Sequence, residues 1–189
     1  MWKRFATLLI ATSLTALTAA AAAQDEGAAA RYPDRPLRFV VGFPPGGVAD
    51  IAARVIAGPL GDRLGQPVIL DNRAGAGGVI GVETVAAAAP DGYTMGFGVS
   101  GALTANVTLM PNLPYDPLTD LAPVSMAIVT PLMLAVNSSL GVDSLEAFVA
   151  KARANPAKFS YGTAGPGTAM NLAGELLKQT AGIQMEHVP

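Results

Sequence analysis

From Tyr32 onward, short apolar runs alternate with amphipathic segments, and glycine loops mark several of the changes from one to the other. "LRFVVGF" (37–43) has the character of a buried strand. The loop "PPGGVAD" follows it, then a helical pattern from about Val48 to Leu64 in which Ile51, Val55 and Leu64 form an apolar stripe. Gln66-Pro67 leads into "VILDN", and a glycine-rich turn opens a second helical run, "VIGVETVAAAA". "PDGY" (90–93) is a turn signal that starts the strand "YTMGFGV", and "SGALTANVTLM" predicts a third, shorter helix before the rigid "PNLPYDP" loop. Strands separated by helices cannot pair as hairpins. The pattern therefore predicts an α/β fold with parallel sheets.

The second half repeats the alternation after an interruption. From 121 to 136 the chain is uncharged, "LAPVSMAIVTPLMLAV", and Pro131 divides it into two strand-like halves, as expected of a chain passing from one sheet to another. Asp143 and Glu146 stand at capping-box spacing before a helix that Asn155-Pro156 ends. The strand "KFSY", the loop "YGTAGPGT", a helix from Thr168 to about Ala181 capped by Gly182, and a strand begun in "IQMEHV" complete the sequence. That closing strand has no helix or tail after it, so the chain is expected to be a portion of a longer protein.

The N-terminus carries an address. Lys3 and Arg4 precede an apolar run that ends in small residues, the pattern of a secretory signal peptide (1–23) with cleavage expected after Ala23 and a flexible tail at 24–31. The apolar part, 5–17, is short of the roughly 20 residues a membrane span needs. Removing the signal takes away two positive charges, so 12 basic against 14 acidic residues becomes 10 against 14. With no basic cluster left, nucleic acid is not expected as a partner. Cysteine is absent, which excludes disulfides, thiolate nucleophiles and cysteine metal sites together.

The glycine loops are the candidate sites. "GTAGPGT" has Gly162 and Gly167 at Walker A spacing, but Thr168 stands where the lysine belongs, so nothing there answers a triphosphate. A helix N-terminus with the Thr163 and Thr168 hydroxyls beside it suits a single carboxylate better; the plainer alternative is a turn with Thr168 as cap. "FPPGGVAD" (43–50) mirrors it, with Asp50 placed to complement the helix dipole. Gly47 and Gly167 are both expected to tolerate side chains poorly. "GAGGVIG" (75–81) resembles a dinucleotide fingerprint through Gly75, Gly77 and Gly81, yet lacks the acidic residue after a following strand; close packing of a helix on the sheet is the other reading. "GVSGA" misses the nucleophile-elbow spacing, and His187 is the only histidine, so neither a Ser-His triad nor a metal cluster is visible. No metal or cofactor is expected, and no enzymatic role.

Taken together, "YPDRPLRFVVGFPPGGVADIAAR", "LGQPVILDNRAGAGGVIG", "APDGYTM", "LPYDPLTDLAPVSM", "KARANPAKFSYGTAGPGT" and "NLAGELLKQTAGIQMEHVP" resemble the substrate-binding receptors of tripartite tricarboxylate transporters, the Bug family. The resemblance implies a two-lobed, Venus-flytrap periplasmic binding protein of type II, here truncated. It would be monomeric at full length and would deliver a small organic acid to membrane transporter subunits. Lobe 1 would cover 32–125, a hinge crossing 126–131, and an incomplete lobe 2 132–189. The family's ligand loops fall on Phe43, Pro45, Gly46, Gly47 and Asp50, and on Thr163, Ala164, Gly165, Gly167 and Thr168, with Ser100 and Asn106 bordering the cleft. Val48, Ala49, Pro166 and Asn171 depart from the usual family pattern and bear on which acid is bound. A dinucleotide-dependent enzyme and a ligand-sensing lobe for a signalling partner are the alternatives.

Overall fold

The structure is a computed structural model that describes residues 31–156 and 158–189. The expected signal peptide and all of the tail except Arg31 lie outside the described residues. Among those described, no helix is long and apolar enough to cross a membrane.

Three parallel strands form the first sheet in the order β2-β1-β3: β1 (Leu37–Val41), β2 (Val68–Asn72) and β3 (Thr94–Phe97). Leu37 stands opposite Val68 and Val41 opposite Asn72, while Arg38 pairs with Thr94 and Val41 with Phe97 on the other side. The central strand is the most apolar because a parallel strand covered on both faces has no side left for water. Leu37, Phe39, Val40 and Val41 are all buried. Phe39 and Val41 pack with Ala53 and Ala57 of helix α1 (Val48–Leu64), joined by Ile56, Leu70, Met95 and Phe97. Alternation turns Val40 and Gly42 the other way. There helix α2 (Val79–Ala86) comes so close that a Cβ on Gly81 would lie 2.5 Å from the Gly42 Cα.

The apolar stripe expected on α1 is not its buried face. Ile51 and Val55 are exposed, and Asp50, Ala53 and Ala57 turn inward. These three recur at three- and four-residue intervals and so share one side of the helix. Small alanines allow the helix axis to approach the sheet, whereas Ile51 and Val55 are rotated away from that line by roughly 100° per residue.

After β3 the chain makes a π-helical turn (Gly101–Ala105) that runs straight into the short helix α3 (Asn106–Leu109). Val79, Val82, Ala102 and Tyr115 form a second apolar cluster here, and the buried Tyr115 hydroxyl donates to the Ala102 carbonyl at 2.8 Å. Tyr115→Phe is expected to lower the free energy of unfolding by about 1 kcal/mol, the usual worth of such a bond. Urea denaturation measures it, and no change would mean that water replaces the hydroxyl.

The two strand-like halves expected in 121–136 do not form strands; residues 121–137 are irregular. Apolar composition alone cannot make a strand without a neighbouring edge to pair with, and no strand among the described residues pairs with this stretch. Regular structure resumes with α4 (Leu145–Ala154), β4 (Ser160–Gly162), α5 (Ala169–Ala181) and β5 (Glu186–Val188), the last two strands pairing in parallel. The N-cap of α4 is Ser144, one residue later than the Asp143 spacing suggests, and its hydroxyl accepts from the Ala147 amide at 3.2 Å. Phe148, Ala152, Ile183 and Met185 centre this part's core.

Candidate functional site

In an open parallel sheet the chain leaves each strand at its carboxyl end, and the place where successive connections diverge opens a crevice. With β1 between β2 and β3, that place is beside the end of β1. The loop after β1 begins with Phe43, half-buried, whose ring lies against Gly78; Val99, just after β3, touches the same point. A Cβ on Gly78 would meet Phe43 Cε2 and Val99 Cγ2 each at 3.1 Å. Pro45, Gly46 and Gly47 are exposed.

Asp50 holds this loop in shape. It is 2% exposed, and its oxygens accept from the Gly46 amide (2.9 Å), Arg54 Nε (2.9 Å), Arg54 Nη2 (3.0 Å) and Asn72 Nδ2 (3.0 Å). Asn72 Nδ2 also donates to the Phe43 carbonyl at 2.9 Å, tying β2 to the loop. The hydrogen bonds from Arg54, then from Gly46 and Asn72, hold the Asp50 carboxyl well below the ordinary carboxylate range. Because the folded value is depressed, the stability Asp50 lends is fully present above its unfolded value of about 3.9 and is lost as pH falls through the folded one. Asp50→Ala is therefore expected to lower the melting temperature at pH 7, to matter progressively less in acid, and to speed hydrogen exchange at the Gly46 amide. Unchanged exchange at that amide would mean that the loop keeps its shape without the carboxylate.

The poor tolerance of side chains expected at Gly47 falls, as far as backbone conformation goes, on Gly46. Gly46 has φ +86°, while Gly47 is the N-cap of α1 at φ −79°, with no neighbour closer to an added Cβ than the Pro44 carbonyl at 3.7 Å. Gly47 is thus in a conformation that any residue adopts, and the left-handed requirement falls on Gly46. Gly47→Ala is expected to change stability by less than about 0.5 kcal/mol, and Gly46→Ala to cost about 1 kcal/mol or more. Thermal melts of the two variants compare them directly.

The second loop is braced from within. Thr163 Oγ1 accepts from the Gly165 amide (3.1 Å) and shares a 2.7 Å hydrogen bond with His187 Nε2. Thr168 Oγ1 donates to the Gly165 carbonyl (2.7 Å) and accepts from the Asn171 amide (3.4 Å), capping α5 as expected. Asn171 Oδ1 accepts from the Gly167 amide at 3.1 Å. The loop is therefore not an array of open N–H groups. The amides of Gly165 and Gly167 are engaged by side chains, as is Gly46 in the first loop; Ala164 is exposed, and Gly165, Gly167 and Thr168 are buried.

This loop is seated on the first sheet's connections. A Cβ on Gly101 would collide with the Gly167 carbonyl oxygen and lie 3.1 Å from the Thr168 Cα; one on Gly77 would lie 3.0 Å from the Pro166 carbonyl oxygen. On Gly167 itself it would collide with Asn106 Oδ1. Of the residues expected to line the site, Gly165, Gly167, Thr168 and Asn106 are thus gathered at one junction, with Phe43 joined to it through the Gly77-Gly78 turn. Ser100 is exposed at its edge, and Thr163 looks toward His187. Asn72, Gly77, Gly101 and His187 were not among those expected. The signal for Asn72 is a polar residue at the carboxyl end of a strand, where an open parallel sheet forms its crevice; the other three depend on contacts far apart in sequence. At Gly77 the Pro166 carbonyl occupies the approach a pyrophosphate would need, and Gly81 serves close helix packing, so the fingerprint-like stretch 75–81 is filled by the protein itself. Among the described residues no group of acidic and histidine side chains is placed to hold a metal ion. An open concavity of about 600 Å³ lies at the other end of α1, between Gly58, Gly61, Gln66 and Val68, and includes none of these residues.

BugT of Bordetella pertussis is 45% identical over 159 residues, which is 84% of this chain and 49% of BugT. A Rhodopseudomonas palustris protein solved with adipate superposes with a TM-score of 0.78 at 37% identity, covering 84% of this chain and 53% of that one. MatC of Rhodopseudomonas palustris, solved with bound malate, gives a TM-score of 0.77 at 32% identity, covering 84% and 54%. The chain thus has the α/β fold of periplasmic binding proteins and spans about half the length of the relatives it matches. The tripartite tricarboxylate transporter family receptor pattern matches residues 52–189, from the first turns of α1 to the end of β5. By that match and by its identity to BugT, the chain belongs to the tripartite tricarboxylate transporter receptors, a family of substrate-binding receptors and not of enzymes.

Proposed function

We propose that this protein is an extracytoplasmic receptor that binds a small di- or tricarboxylate, or a related acid or amide, and hands it to membrane transporter subunits. One observation carries the reading: the Gly165–Thr168 loop at the head of α5 rests against Gly101 and against the Gly77-Gly78 turn at the head of α2, on which Phe43 of the loop before α1 also lies. Helix N-termini favour carboxylates. Relatives solved with adipate and with malate support the same ligand class. In this reading residues 32–125 belong to lobe 1, 126–131 to the hinge crossing and 132–189 to lobe 2. The ligand lies among Phe43, Pro45, Gly46, Gly47, Ser100, Asn106, Ala164 and Gly167, while Asp50, Thr163, Gly165 and Thr168 keep the loops in shape. The expected signal peptide and the periplasmic binding proteins among its structural neighbours favour a periplasmic location.

Thermal-shift screening of the product of the complete reading frame against organic acids tests the proposal. A ligand at 100 times its Kd stabilises by about 2.7 kcal/mol, a shift of several degrees in the midpoint. A rise with one or more di- or tricarboxylates is expected. If nucleotides or uncharged sugars alone raise the midpoint, the reading is wrong.

A further inference from the structure

Asn72 ends β2 opposite Val41, whose side chain faces α1. Paired positions of a parallel sheet point to one side, so the Asn72 carboxamide is aimed at the head of α1, where Asp50 lies. The main-chain ladder between β1 and β2 stops with the Arg73 amide donating to the Val41 carbonyl at 2.8 Å. The Asn72 side chain carries the tie further along the chain, donating from Nδ2 to the Phe43 carbonyl at 2.9 Å and to Asp50 Oδ1 at 3.0 Å. Asp50 in turn accepts from the Gly46 amide at 2.9 Å. One carboxamide therefore grips the first loop at its first residue and, through Asp50, at its turn.

Both partners of this nitrogen are acceptors only: a peptide carbonyl and a carboxylate that stays ionised at neutral pH. Nδ2 has two protons, one for each, and an aspartate of the same shape would set oxygen against oxygen in both places. The grip also reaches beyond its own loop. A Cβ on Gly78 would lie 3.1 Å from Phe43 Cε2, and one on the neighbouring Gly77 would lie 3.0 Å from the Pro166 carbonyl oxygen. Phe43 thus sits where the first loop meets the turn on which the second loop rests.

Resting on the receptor reading above, we infer that Asn72 is a positioning residue for ligand binding. It acts through Phe43 and Gly46: its two hydrogen bonds fix both ends of the bend that the acid approaches, and with them the place where the first loop meets the Gly77-Gly78 turn.

Calorimetry on the product of the complete reading frame tests this with succinate, malate, glutarate and adipate. For the acid that the wild-type protein binds tightest, Asn72→Asp and Asn72→Leu are each expected to weaken binding roughly 10- to 100-fold, the range of one or two lost hydrogen bonds of this kind. Hydrogen exchange at the Gly46 amide should quicken in both variants even without ligand. A residue that served folding alone would lower the melting temperature and leave the affinity of the folded protein unchanged; Phe148→Leu, in the second core, supplies that comparison and should keep the wild-type affinity. Circular dichroism identifies the variants that fold. If neither Asn72 variant does, the wild-type side-chain amide decides: both Asn72 Nδ2 protons should exchange slowly, and their resonances should move when the acid is added. A folded Asn72 variant that binds as tightly as wild type, equal weakening by Phe148→Leu, or Nδ2 protons that exchange as fast as those of an exposed asparagine overturns this inference and leaves the receptor reading intact. No binding of any of the four acids by the wild-type protein overturns both.

Discussion

Gly167→Val is expected to weaken binding of the organic acid proposed as ligand by at least about 100-fold, while leaving most of the helical signal in place. Two effects combine at this position. Gly167 has φ +73°, a region β-branched residues avoid, and any Cβ there collides with the Asn106 amide. The loop must then lift away from Gly101, where the Gly167 carbonyl oxygen occupies the space a side chain would need. The core beneath α5 is built elsewhere, from Phe148, Ala152, Ile183 and Met185 with Leu177 and Ala181 packed against it. The variant should therefore keep its second core and lose only the seating of the loop. Gly101→Val offers a control from the opposite side of the same contact: it changes no residue of the second loop, yet should reduce binding similarly. Hydrogen exchange over 163–168 reads the seating directly, and calorimetry reads the binding. If both variants lose cooperative unfolding in proportion to binding, the glycines are there for folding and not for the site.

The alternation of strand and helix was legible because each element carries its own period. LRFVV, VILDN and TMGF lie in the strands expected of them, and Thr168 and Gly182 bound α5 where their chemistry predicts. Errors arose where two local solutions are nearly equal. Asp143 and Ser144 are both good caps, and it is Ser144 whose hydroxyl meets the Ala147 amide. Ile51 and Val55 are more hydrophobic than Ala53 and Ala57, but helix α1 approaches the sheet so closely that the smaller residues fit. The candidate site was proposed from two glycine loops that the sequence makes visible. What each residue does there was less so: Asp50 is turned to the Gly46 amide, the amides of Gly165 and Gly167 to Thr163 and Asn171, and the seats offered by Gly77, Gly101 and Asn106 arise from contacts between distant parts of the chain.

The 189-residue chain produced alone is expected to self-associate, because the uncharged run from 121 to 136 has no strand partner and, beyond Leu121, almost no cover among the described residues. Val124 is 91% exposed, Met126 79%, Val129 81% and Met133 89%, with Ile128, Leu132, Leu134 and Val136 partly open beside them. One such residue is ordinary on a protein surface; a continuous stretch of them is not. Each large side chain gains about 1.5–3 kcal/mol on full burial, so four together offset a substantial part of the cost of bringing two chains together. The stretch is irregular, and β2 and β3 are the edges of the first sheet, so strand addition between chains is open to it. Light scattering should therefore give a mass above 19.1 kDa that rises with concentration. Replacing Val124, Val129 and Met133 with lysine should return the mass toward that of the monomer without lowering stability, since none of the three is buried. Because the chain spans about half of BugT, joining it to the remaining length of that relative should supply cover for the same stretch, and the extended protein should run as a monomer. A short chain that is already monomeric at tens of micromolar, and no less protected from exchange than the extended one, would mean that 121–136 is stable in water as it stands.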